Sequence, residues 1–149
     1  MRVLAAAIFS ALCLATLAGC SASKQPPIGR WEGTYETDDD MVVVRVEILS
    51  SGSIYLSAPD AMDIAAVPAN QRGPMRERLA SSLAESWGEV EPRTFDFDGR
   101  VFRKPGGIAP QMEWNPDSKT MTVVIYLGMK TARIPLRQVK DFSADPWTS

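Results

Sequence analysis

The 149-residue sequence contains no histidine, only two cysteines and no basic block. Without histidine, Ser-His-Asp and Cys-His catalysis and histidine-based zinc sites are excluded within the chain. Sixteen Lys and Arg against 18 Asp and Glu leave a formal charge of −2, which argues against nucleic acid as a partner. The serines include no Gly-x-Ser-x-Gly elbow, and Gly106-Gly107 precedes a short strand pattern instead of opening a helix, so no nucleotide fingerprint is present. The expectation is a protein with no catalytic residues, no cofactor and no metal. At 45% hydrophobic and 23% charged residues, the composition is that of one folded domain.

The longest hydrophobic run lies at the start. Residues 1–20 read MRVLAAAIFSALCLATLAGC, with Arg2 ahead of an apolar stretch from Val3 to Leu17 and small residues after it. That is the pattern of an export signal, short and weakly flanked for a permanent membrane helix. Leu17-Ala18-Gly19-Cys20 resembles the lipobox of bacterial lipoproteins. The resemblance implies cleavage between Gly19 and Cys20 by the lipoprotein-processing machinery, acylation of Cys20, and attachment to a membrane through that lipid. Ser21, where an Asp would imply retention at the inner membrane, implies the periplasmic face of the outer membrane. Cys13 falls within the removed segment, so no thiol remains for a disulfide or a thiolate metal site. The expected organisation is a signal peptide over 1–19, a lipidated tether over 20–27, a β domain over 28–140 and an irregular tail over 141–149, which Phe142 and Trp147 can anchor.

From Ile28 onward the apolar residues alternate. Trp31, Gly33 and Tyr35 share one face of a first strand, with Arg30, Glu32 and Thr34 on the other. Asp38-Asp39-Asp40 reads as a turn into a second strand, Met41 to Leu49, with Val42, Val44, Val46 and Ile48 inward and Val43, Arg45 and Glu47 toward water. Ser51-Gly52 marks a hairpin into a third strand, Ser53 to Ser57. Asn70 to Glu91 carries the helical segment, where Met75, Leu79, Leu83 and Trp87 recur every fourth residue behind Pro74. Strand signals resume at Arg93–Asp98 and Arg100–Lys104 around Asp98-Gly99, then at Ala109–Trp114, Lys119–Leu127 and Thr131–Val139. Within the last, Pro135 demands an edge, a bulge or a strand start. The predicted fold is mainly β: a small antiparallel up-and-down barrel of about eight strands with one inserted amphipathic helix.

Gly29-Arg30-Trp31 resembles the opening strand of lipocalins, in which the Trp closes one barrel end beneath an Arg from the last strand. The resemblance implies Arg133 or Arg137 as that partner, through a cation–π contact. The chain departs from the lipocalin pattern in lacking a disulfide, in its length and in the early position of its helix.

The acidic groups have simple readings. Asp38 to Asp40 suit a solvated turn better than a calcium loop, and Asp96 and Asp98 suit the wet face of a strand better than a carboxylate pair. Tryptophans on alternating strands are expected in the core, with Trp87 and Trp147 as the two to examine on the surface. Function is accordingly expected to be that of a non-enzymatic structural or protein-interaction module of the cell envelope. The alternative is an apolar or amphiphilic ligand within a barrel lined by Val44, Val46, Ile48, Val124 and Tyr126, with Trp31, Met75 and Trp87 at the site or interface. The helix decides between them: over the barrel mouth it brings Met75 and Trp87 to the interior, and along the wall, the favoured place, it forms a satellite core.

Overall fold

Alternation on the first two strands sets the architecture. In the computed structural model, which describes residues 25–148, β1 (Gly29–Glu36) pairs antiparallel with β2 (Asp40–Ile48). The register sets Trp31 opposite Val46 and Tyr35 opposite Val42 on one face, and Glu32 opposite Arg45 and Glu36 opposite Met41 on the other. The signal peptide, with Gly19, and residues 20–24 of the tether, with Cys20, lie outside the described residues.

The hairpin at Ser51-Gly52 leads to β3 (Ile54–Ser57), after which β4 (Met62–Asp63), a short pairing absent from the sequence reading, returns to the start of β2. A 3-10 turn (Ala69–Gln71) precedes α1 (Gly73–Trp87), which covers the whole apolar period but is shorter at both ends than the expected segment Asn70 to Glu91. Then follow β5 (Asp96–Phe97), β6 (Val101–Arg103), β7 (Pro110–Asn115), β8 (Thr120–Leu127) and β9 (Lys130–Val139). The described residues thus form a curled antiparallel sheet in the order β3-β2-β1-β9-β8-β7-β6-β5, a half-barrel of mainly β structure with one inserted helix. Among them, no helix is long and apolar enough to cross a membrane.

The last strand closes onto the first, Arg30 opposite Val139 and Glu32 opposite Arg137. Beyond those pairs the strands lean together at Gly33, where any side chain would put its first carbon 2.4 Å from the Pro135 carbonyl oxygen. Pro135 is tolerated for a related reason. Counting back from the two-residue turn at Gly128-Met129, Pro135 stands opposite Thr122 in a non-hydrogen-bonded pair, so its missing N–H would have faced β1 where that ladder has stopped. Between β3 and β5 the sheet is joined only by a bridge, with the Arg93 N–H donating to the Ile54 carbonyl at 2.7 Å.

Candidate functional site

The concave interior is filled by side chains of the strands themselves. Trp31, Val42, Val44, Val46 and Ile48 meet Ile54, Phe102, Met112, Met121, Val123, Ile134 and Leu136 in one buried cluster. Phe97 stacks on Phe102 at 4.2 Å between ring centroids, and Trp114 meets Trp31 edge-on at 5.6 Å. These side chains crowd the interior, and the buried Trp31 Nε1–H has no hydrogen-bond partner among the described residues.

Two expected interior residues point elsewhere. On β8 the inward positions are Met121, Val123, Ile125 and Leu127, whereas Val124 is buried apart from the interior cluster and Tyr126 is 48% exposed. Thr120 and Thr122 alternate with Met121 and Val123 at the start of β8, but the run from Val123 to Leu127 hides that phase. The expected Arg–Trp stack is also absent among the described contacts. Arg137 donates to Glu32 at 2.6 Å and Arg133 to Glu113, both from the outer face of β9.

Nor do Trp31, Met75 and Trp87 come together. Trp31 lies in the interior, while α1 packs along the barrel wall, against the outer face of β2. There Met41, Val43, Ile64, Leu79 and Leu83 form a second buried cluster, with Met62, Val67, Met75 and Trp147 packed at its margin. Trp87 lies at the far end of the helix, edge-on to Phe142 at 4.7 Å. Val43 and Arg45, expected toward water, are therefore both buried.

This outer layer also holds the charged groups. Glu32 has no exposed surface and Arg45 keeps 5%. The Glu32 carboxylate accepts from Arg137 on one oxygen and from the Ser143 N–H, at 3.0 Å, on the other. Arg45 Nη2 donates to the Ser143 carbonyl at 2.6 Å, and its Nε lies 4.0 Å from Glu32, within Coulombic reach but too far to hydrogen-bond. Burial pulls the Arg45 guanidinium below its ordinary pKa, against the opposing pull of Glu32. Phe142 covers this pair, with the Arg45 guanidinium 5.0 Å from its ring. Residues 141–148, without helix or strand, run as a strap over this face and reach α1 through Trp147.

A second charged cluster pins the start of the helix. Arg76 grips Glu36 through two hydrogen bonds, of 2.9 and 3.0 Å. Arg72 donates to the carbonyls of Val67, Thr37 and Asp38. The hydrogen bond from Arg76 holds the Glu36 carboxyl below its ordinary range, outweighing desolvation, with Arg72 assisting.

The remaining carboxylates are dispersed. Lys130 bonds Asp39 at 2.9 Å, and Arg103 with two backbone N–H groups holds Asp98 well below the usual carboxylate range. Asp96 and Asp98 are both exposed, and Arg103 occupies the second of them. Among the described residues no group of three or more acidic or thiol side chains could hold a metal ion.

Open grooves lie on the exterior. One groove of about 300 Å³ runs between α1 and the strap, past Arg76, Ala80 and Trp147. The larger, about 470 Å³, lies along the seam between β3 and the chain that returns from α1, lined by Leu56, Ser57 and Ala58 on one side and Glu89 to Arg93 on the other. Sequence reasoning missed this groove. Its only trace was the helix inserted after β3, which deprives that strand of a hairpin partner on its free side. No family model, curated protein or solved structure matches the chain.

Proposed function

We propose that the chain is a non-enzymatic, lipid-anchored envelope protein whose barrel serves as a structural or protein-interaction module. It is held at the periplasmic face of the outer membrane by acyl groups on Cys20. The anchor rests on the Leu17-Ala18-Gly19-Cys20 sequence behind its apolar run, with Ser21 directing outward sorting. The observation that carries the choice of module over ligand carrier is the filled interior, where Trp31, Phe102, Met112, Met121 and Ile134 occupy the volume a ligand would need. The closure of β9 onto β1 suits the likeness to lipocalins, while the Arg137–Glu32 pairing in place of a stack on Trp31 weighs against a close one.

Mass spectrometry of the membrane fraction tests the anchor: the mature amino terminus is expected to be acylated Cys20, and Cys20→Ala is expected to leave the precursor unprocessed. A soluble product starting elsewhere would reject lipidation. Titration with fatty acids tests the module. No change in melting temperature is expected, whereas a saturable rise accompanied by tryptophan quenching would move the function to ligand binding.

A further inference from the structure

The seam leaves the outer edge of β3 paired at Ile54 and unpaired beyond it. Backbone groups of successive strand residues point alternately to the two sides, and Ser53, whose carbonyl accepts from Leu49, faces β2. Tyr55 and Ser57 therefore face β2 as well, and Ile54 and Leu56 face the seam. Ile54 is satisfied there by Arg93. Continued from that bridge, the antiparallel register would place Glu91 opposite Leu56, yet residues 89–92 belong to no ladder. The two segments diverge around the 470 Å³ groove, with the Leu56 N–H and carbonyl on its strand side.

An unpaired edge beside a groove is a template for another strand. The opposite wall states which kind. Glu89 and Glu91 are exposed, line the groove and have no ion-pair partner among the described residues, and the one cation of the lining, Arg93, sits at the bridged end. We propose that the seam docks a short extended segment of a partner polypeptide that bears basic side chains. Its backbone adds to the free edge of β3 at Leu56 and its cations meet Glu89 and Glu91. The proposal rests on the reading of the domain as a protein-interaction module and gives that partner its chemistry.

The test uses the full-length protein in detergent micelles, isotopically labelled, titrated with an alternating Lys/Val pentapeptide and with its Glu/Val counterpart. Saturable binding of the Lys/Val peptide is expected, with amide shifts centred on Leu56 and Ala58. The double variant Glu89→Lys, Glu91→Lys changes only exposed side chains and is expected to weaken that binding by about tenfold or more. Equal binding of the two peptides, shifts centred elsewhere, or indifference to the double variant would overturn the proposal. So would a Leu56 amide already protected from exchange in the free protein, whether by a second copy, shown by concentration dependence, or by residues 20–27. Acylation of Cys20 and the absence of a fatty-acid response are read in separate measurements, so failure at the seam is distinguishable from failure of the anchor or of the filled interior.

Discussion

Strand β2 is buried on both faces, and the two faces are buried in different ways. Inward, Val42, Val44, Val46 and Ile48 join an apolar cluster drawn mostly from other strands of the same sheet. Outward, Met41 and Val43 are covered by α1, while Arg45 is covered by the strap through Phe142 and Ser143. The inner face needs only volume, because aliphatic packing is non-directional. The outer face needs partners, since a buried guanidinium or carboxylate is tolerated only while its counter-charge and hydrogen bonds are in place. One layer is thus specified by size and the other by geometry.

The sharpest test of that difference compares single changes in the two layers. Trp31→Ala in the interior is expected to cost about 3–5 kcal/mol by denaturant melts, from lost transfer energy and the cavity left behind. Glu32→Ala in the outer layer is expected to cost a similar amount, about 3–5 kcal/mol, because it strands the buried Arg45. Replacing both Glu32 and Arg45 by apolar residues of like volume should recover much of the loss. If the double change is as damaging as the single one, the outer pair is not the cause.

Leu83→Ala comes next, at about 2–5 kcal/mol if the helix is a true second core. A cost below about 0.5 kcal/mol would make α1 a surface attachment instead. The smallest effect concerns pH. Glu36 titrates lower when folded than its ordinary value of 4.5, so its stabilising contribution is complete above that pH and is lost as pH falls through the folded value. Glu36→Gln is therefore expected to flatten the acid limb of stability below pH 4.5. Asp98 titrates with the same sign, but it is exposed, so salt should diminish its share and leave that of Glu36.

The inner layer was legible in the sequence because its information is local. Alternation from Val42 to Ile48 fixes which side chains share a face, and the hairpin signals at Ser51-Gly52 and Asp98-Gly99 fix the neighbours. Where alternation lapses, so does the reading: the run from Val123 to Leu127 hides the phase that Thr120 and Thr122 set, and Val124 and Tyr126, expected inward, lie on the other face. The outer layer was legible only in part. The Met75, Leu79, Leu83 and Trp87 period announces a helix with a face to bury, but nothing near Val43 or Arg45 says that this face lands on them. Their covers come from the distant helix and from Ser143, 98 residues away from Arg45. The seam groove arises from what two segments fail to do, and a missing pairing has no motif.

The closure of β9 onto β1 sets the order in which the chain can fold. Glu32 and Arg137 meet across 105 residues, so the barrel gains its first-to-last contact only after a long loop has been closed. Hairpins such as β8–β9 can form while the chain is emerging, whereas β1 waits for the final strand, and the strap that shields Arg45 waits longer still. A topology of such distant pairings belongs to the slower folders, on the order of milliseconds to seconds. Through that interval β1 remains without its last neighbour, and the chain stays pliable until its end has been made.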